Sequence, residues 1–285
     1  FIRKRRQGHE YHGSYNGGGI IMNRIDLKFS QLKEKNEKAL IPFITAGDPD
    51  LETTVKIVLA MENSGADIIE LGIPYSDPLA DGVTIQASSN RALKNGVKIF
   101  KIMDTVKNIR EKTQVPLVYL VYYSSIFKYG MEKFIKECSS CGIDGLIIPD
   151  LPIEERKDII TMGGKYGVYL IPLVAPTSKE RIEKIVRGAR GFVYCVSVNG
   201  VTGARNSINT DIKEYMKIVS SYTDIPKALG FGISSAAMAE KFKPYCEGII
   251  VGSALIDKIA EGKDKEDMLN SVKAFIGELK NALKQ

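Results

Sequence analysis

Eight short apolar runs, each rich in β-branched and aromatic residues, recur along the chain with helix-like segments between them. They are ALIPFITAG, ADIIELGIP, VPLVYLVYY, DGLIIPD, VYLIPLVAP, GFVYCVSV, IPKALGFGI and EGIIVGSAL. Strands that are apolar on both faces have to be covered on both faces, which points to a parallel sheet whose crossover helices supply the cover. Helical patterns such as LETTVKIVLAMENSG, KIFKIMDTVKNIREKT, KEYMKIVSSY and the stretch from Asp257 onward provide those crossovers. Eight such units in about 260 residues favour a closed (β/α)8 barrel over an open doubly wound sheet. The segment Ile25 to Lys38 precedes the first strand and is expected to cap the bottom of the barrel as an extra helix.

The first 21 residues, FIRKRRQGHEYHGSYNGGGII, show neither period. They combine a basic cluster with a glycine-rich stretch and lack the apolar core of a secretory signal. They are expected to be a non-native or disordered leader, with residues 22–285 forming one catalytic barrel domain. The leader holds four of the 40 basic residues and one of the 34 acidic ones, so the barrel carries a net charge of only about +3. That is no electrostatic footprint for nucleic acid, and no apolar run is long enough to cross a membrane.

Both histidines, His9 and His12, fall in the leader. Histidine-based triads and metal sites are therefore excluded from the barrel, and proton transfer falls to carboxylates, Tyr, Lys or Cys. Cys138 and Cys141 have a two-residue spacing, but they close a helical pattern before Gly142, whereas thiolate activation favours a helix start. With Cys195 and Cys246 isolated in apolar runs, all four read as reduced structural cysteines, which fits a reducing cytoplasm.

Chemistry in such a barrel sits at the C-terminal ends of the strands. Glu70 interrupts the apolar run of the second strand and points into the barrel, where burial would raise its pKa into the range of a general acid near neutral pH. A buried salt bridge is the alternative. The following loop, Pro74 to Gly82, places a second carboxylate, Asp81, above the same mouth, and two acids in unlike surroundings can divide acid and base duties. Asp77 and Asp81 read alternatively as turn caps. The glycines after strands seven and eight, in Gly230 to Ser234 and Gly252 to Ala254, let backbone N–H groups approach a phosphate ester. Val198 to Asn206 is long enough to form a lid, and Tyr194 sits at an inward position beside the same pocket. Taken at full length, Pro74 to Asn90 and Asn199 to Asn209 read as two long loops that crowd this face and are mobile when nothing holds them.

At these residues the chain resembles the tryptophan synthase alpha chain family, through PFITAGDPD, ELGIPYSDPLADGVTIQ, PDLP, GVTGAR, GFGIS and VGSAL, over a stretch running from about Met22 to the C-terminus. The resemblance implies a TIM barrel that cleaves indole-3-glycerol phosphate to indole and glyceraldehyde 3-phosphate by a retro-aldol step. It implies Glu70 as the acid that protonates indole C3 and Asp81 as the carboxylate that holds the indole N–H. Tyr194 matches the family's active-site tyrosine. Phe43, Leu120, Tyr122, Ile147 and Phe231 match the indole pocket, Gly203, Gly232, Gly252 and Ser253 the phosphate site, and Thr202 the lid threonine. The chain departs from the family at Ser124-Ser125, where Asn and Pro are usual, which bears on partner contacts. No cofactor or metal is expected in this chain. The resemblance implies a beta chain partner in an alpha2beta2 complex, with pyridoxal phosphate belonging to that partner. Two further readings stand beside this one, a phosphosugar isomerase barrel and a catalytically silent regulatory subunit.

Removing residues 1–21 is expected to change neither melting temperature nor activity, because the segment has no apolar periodic face with which to dock. A thermal melt and a rate assay of the trimmed chain check this, and a clear loss of stability would contradict it.

Overall fold

A computed structural model describes residues 22–78, 81–196, 205–230 and 232–284, which leaves the proposed leader outside the described residues. The chain opens with α1 (Arg24–Glu34), β1 (Ala39–Thr45), α2 (Leu51–Asn63), β2 (Ile69–Gly72), α3 (Val83–Lys94), α4 (Ile99–Arg110) and β3 (Leu117–Leu120). It continues with α5 (Tyr123–Tyr129), α6 (Met131–Cys141), β4 (Gly145–Ile147), α7 (Arg156–Tyr166), β5 (Tyr169–Ile171), β6 (Leu173–Val174), α8 (Ile182–Val186) and β7 (Val193–Val196). The last third holds α9 (Arg205–Ser220), β8 (Lys227–Gly230), α10 (Ala236–Phe242), β9 (Gly248–Val251), α11 (Ser253–Glu261) and α12 (Lys265–Leu283).

Every strand pairing is parallel, and the spatial order is β5-β4-β3-β2-β1-β9-β8-β7-β6. The two ends of that order, β5 and β6, are consecutive in the chain, so the ring closes through the backbone itself. Eight strands were expected and nine are present because Pro172, which has no N–H to give a ladder, splits the fifth run in two. The result is the anticipated (β/α)8 TIM barrel.

Strand alternation sorts the side chains into two sets. One set, including Leu40, Ile44, Ile69 and Leu71, packs outward under the helices with Met61, Ile102, Phe134, Ile256 and Ile276. The other, including Ala39, Ile41, Ile68, Val118, Ile147, Ile171, Phe192, Ala228 and Ile250, fills the interior. Ile25 and Phe29 of α1 join this inner set, so α1 plugs the bottom as expected, although the helix stops at Glu34 and not at Lys38. Asn36 then takes a left-handed conformation, φ 53°, which turns the chain into β1.

The plug is fastened by charge. Asp144, buried ahead of β4, accepts Arg24 Nε at 2.8 Å, Arg110 at 3.0 Å and the Leu117 N–H at 2.9 Å. Burial of Arg110 pulls its guanidinium down to about 10 despite that partner. Two strands along the ring, at the start of β2, Lys280 of α12 reaches Asp67 at 2.9 Å and Glu37 at 3.0 Å. Asp67 also accepts the Leu40 N–H at 2.8 Å, which ties the last helix to the first strand.

One sequence reading needs correction. The stretch Pro74 to Asn90 was expected to be one long mobile loop, yet Val83–Lys94 is helix α3, so the loop ends at Gly82. Its buried face consists of Ser88, Ser89 and Ala92, small residues in place of the large aliphatic ones that mark the recognised helices, and this is why the pattern failed to show the helix. The sixth loop, read as Asn199 to Asn209, is likewise shorter than expected, since α9 begins at Arg205. All four cysteines are buried and unpaired, Cys138 and Cys141 lie late in α6 as anticipated, and no cluster of metal-ligating side chains occurs among the described residues. No helix among them is long and apolar enough to cross a membrane.

Asp144→Ala leaves two buried or half-buried arginines without a counter-charge and is expected to cost about 3–5 kcal/mol of folding stability. A urea titration measures it. A loss below about 1 kcal/mol would show that apolar packing alone seats α1.

Candidate active site

The inward positions nearest the mouth carry the chemistry. Parallel pairing places Phe43 of β1 beside Glu70 of β2, and Glu70 in turn beside Val118 of β3. Glu70 is fully buried, and neither carboxylate oxygen has a hydrogen-bond partner among the described residues, so the salt-bridge alternative falls. A carboxylate in that position cannot keep its charge cheaply. Burial, reinforced by the nearby negative charge of Asp81, pushes Glu70 up to about 8, which leaves it protonated at neutral pH.

Asp81 sits just before α3 and is half-buried. It does not cap that helix: Gly82 is the N-cap residue and no side chain bonds there. Desolvation raises Asp81 to about 6, and a hydrogen bond from the Tyr122 hydroxyl opposes the rise, so Asp81 is mostly ionised at pH 7. Asp77, by contrast, is exposed and accepts the neighbouring Ser76 hydroxyl at 2.8 Å, a local turn contact. Two carboxylates thus face one space with opposite protonation. Tyr194 of β7 completes the group, its phenol held neutral first by burial and then by the charges of Glu70 and Asp81.

Glycines shape the walls around them. A Cβ on Gly72 would lie 2.6 Å from the Phe43 ring, and one on Gly230 would lie 2.8 Å from the Tyr194 ring, so only glycine leaves both aromatics room to lie flat against the barrel wall. Leu120 and Ile147 project inward from β3 and β4 into the same interior. Beside Phe43, where β9 pairs with β1, the strand ends at Val251, Gly252 is the N-cap of α11, and Ser253 opens that helix with no side-chain cap on its first turn. Gly232 adopts φ +57° with open space where a side chain would be. Phe231, Thr202 and Gly203 lie outside the described residues, as do residues 198–204 of the proposed lid from Val198 to Asn206, whose last two residues begin α9.

Several contributors escaped the sequence reading. Tyr75 stacks on Tyr122 at 4.7 Å with the rings 18° apart, and Ser124 donates its hydroxyl to Tyr75 at 2.9 Å. Ser124, singled out as a departure from the family pattern, therefore steadies the pair of rings that supports Asp81. Thr45, inward at the end of β1, has a buried hydroxyl without a partner among the described residues. Thr45 and Tyr75 lie within quoted motifs, but nothing in a motif states these contacts; only the fold brings the residues together.

The family model for the tryptophan synthase alpha chain matches residues 29–284. A tryptophan synthase alpha chain from Thermoanaerobacter sp. (strain X514) is 67% identical over 262 residues, 92% of this chain and 100% of the relative, and one from Clostridium kluyveri is 65% identical over the same span. Among solved structures, tryptophan synthase subunit alpha from Legionella pneumophila str. Paris superposes with a TM-score of 0.86 at 34% identity, covering 92% of this chain and 99% of that one. A Mycobacterium tuberculosis tryptophan synthase structure gives 0.84 at 34% identity, with 92% of this chain and 99% of that one covered. With a buried acid, an ionised carboxylate and an inward tyrosine on a matching barrel, and with relatives this similar along nearly their whole length, the chain belongs to the tryptophan synthase alpha chain family.

Proposed function

We propose that this chain is a carbon–carbon lyase that cleaves indole-3-glycerol phosphate to indole and glyceraldehyde 3-phosphate by a retro-aldol reaction, as the alpha subunit of a tryptophan synthase. The observation that carries the reading is the opposed protonation of Glu70 and Asp81 at one barrel mouth, with Glu70 raised to about 8 and Asp81 to about 6. Protonated Glu70 delivers its proton to indole C3, which makes the ring cationic. Ionised Asp81 accepts the indole N–H and stabilises the positive charge there. The glycerol carbon next to the ring then forms its carbonyl, the bond to C3 breaks, and its electron pair returns to the indole ring. The released hydroxyl proton goes to the Glu70 carboxylate, which restores the acid.

Phe43, Leu120, Tyr122 and Ile147 form the apolar walls suited to an indole ring, with Phe231 assigned beside them by the family pattern. Gly232, Gly252 and Ser253 form the phosphate site, to which the family pattern also assigns Gly203; the uncapped start of α11 at Ser253 offers N–H groups and the positive end of a helix dipole to an anion. Thr202 is assigned to the lid. Nothing in this sequence of steps calls for a cofactor, and pyridoxal phosphate is assigned to the beta chain. The partner's docking face is the mouth: Val83, the first residue of α3, and Phe127 of α5 are 83% and 74% exposed on elements that leave the C-terminal ends of β2 and β3. These features favour a lyase over an isomerase or a silent subunit. Release of indole from indole-3-glycerol phosphate by the purified chain tests the assignment directly, and turnover of an aldose phosphate instead would favour the isomerase.

Glu70→Gln is expected to reduce turnover on the order of 100-fold or more, and Asp81→Asn to do so while sparing phosphate binding. In the unsubstituted chain kcat/KM should rise as Asp81 ionises around pH 6 and fall as Glu70 loses its proton around pH 8. The same shift has a stability signature. Because the folded pKa of Glu70 lies above its unfolded value of 4.5, its contribution to stability is greatest below pH 4.5 and is lost progressively up to pH 8. Glu70→Gln should therefore unfold at higher urea than the parent at pH 7 and above, with the difference vanishing at low pH. A variant that is inactive but no more stable at pH 8 would mean that Glu70 is solvated.

Adding a tryptophan synthase beta chain is expected to raise the lyase rate several-fold or more, by selecting the closed mouth. Steady-state rates with and without partner measure it, and equal rates would mean that the isolated site is already organised.

A further inference from the structure

Helix α3 begins two residues after Asp81, and its far half is clamped to the turn that follows β1. Asp48 in that turn is buried and accepts three hydrogen bonds from α3: Ser88 Oγ at 2.6 Å, Arg91 Nε at 2.8 Å and a terminal Arg91 nitrogen at 2.7 Å. One turn further on, Asn95 Nδ2 donates to the Pro49 carbonyl at 2.6 Å. Val97 closes over Gly47, whose φ of +89° leaves no room for a side chain beneath it. At the near end of α3, Gln86 Nε2 donates to the Asp81 carbonyl at 2.8 Å, and the Gln86 N–H bonds the Gly82 carbonyl at 3.0 Å.

These contacts form one continuous mechanical path. β1 carries Phe43, the turn after it carries Asp48, Asp48 grips α3 through Ser88 and Arg91, and α3 holds Asp81 through Gln86. A bidentate arginine–carboxylate pair resists rotation as well as translation, which a single contact does not. A helix held at its far end by such a pair transmits that placement to its first turn, because its backbone ladder is stiff. The two ends of the path, Phe43 and Asp81, flank Glu70 from different directions.

We propose that Arg91 is a positioning residue of the reaction: through Asp48 it sets where α3 begins and hence where the Asp81 carboxylate stands relative to Glu70. The inference rests on the reading of Asp81 given under Proposed function. Arg91 touches neither Glu70 nor Asp81 among the bonds of the structure, so its effect passes entirely through α3. Lysine in its place keeps the charge but has no planar fork, and the helix start then gains freedom. Displacement by about 1 Å at a reacting centre costs on the order of 100-fold.

Arg91→Lys is expected to lower kcat about 10-fold to 100-fold while KM for indole-3-glycerol phosphate changes less than about threefold, since neither the walls of the ring pocket nor the phosphate site is touched. Gln86→Leu should shift kcat in the same direction. In an Asp81→Asn background, Arg91→Lys should lower kcat less than about twofold, because residues that act through one group are not additive. Lys280→Met, which breaks the ion pairs to Asp67 and Glu37 on the outer wall, serves as the control: it should lower the melting temperature and leave kcat within about twofold. If Arg91→Lys keeps wild-type kcat, or lowers kcat equally in both backgrounds, the positioning role is overturned. If the parent chain itself yields no indole with its beta chain present, the reading of the site is overturned instead, and the two failures are thereby distinct.

Discussion

Closure of a parallel sheet around a dry interior is the constraint on which the rest depends. Once eight β/α units wrap into a ring, inward side chains have no access to water except at the mouth, and α1 removes the other exit with Ile25 and Phe29. Polar groups near the top of that interior are then worth far more than on a surface, because the surroundings cannot screen or solvate them. Glu70 stands at that boundary, level with Phe43 and above Ile68 and Ile41 on their respective strands. Its raised pKa is a consequence of barrel closure and needs no dedicated partner.

The contrast with Asp81 follows from chain position. Glu70 belongs to a strand and cannot move toward solvent, whereas Asp81 belongs to a loop end with Tyr122 on one side and open mouth on the other. Two chemically similar acids therefore hold different protonation states within one pocket. The price is paid in precision, because a loop carboxylate has to be held. Tyr75 stacked on Tyr122, Ser124 bonded to Tyr75, Gln86 on the Asp81 carbonyl and the Asp48–Arg91 pair behind α3 supply that hold.

Legibility varied with the kind of signal. The strands were readable because both-faced burial writes itself as continuous apolar runs, and Glu70 was readable as the exception within one of them. Pro172 was visible in its run, but a proline at a barrel strand is compatible with a bend or a break, and only pairing decided for the break. Helix α3 was missed because Ser88, Ser89 and Ala92 bury a face without being hydrophobic. Asp48 and Arg91 drew no reading from the sequence, 43 residues apart with nothing in composition to join them.

By itself, the sequence determined the class of architecture, the exclusion of histidine chemistry from the barrel, the inward carboxylate and the second acid on the loop that follows it. Each of these depends on local residue type, periodicity or near neighbours in the chain, which a linear text preserves. Tertiary structure alone decided that Glu70 has no hydrogen-bond partner among the described residues, that Gly72 and Gly230 make room for the rings of Phe43 and Tyr194, and that the start of α3 is anchored from the turn after β1. Those facts arise from register and closure, which bring together residues whose separation along the chain carries no trace of their contact, and the dry environment that shifts the carboxylates exists only once the ring has closed.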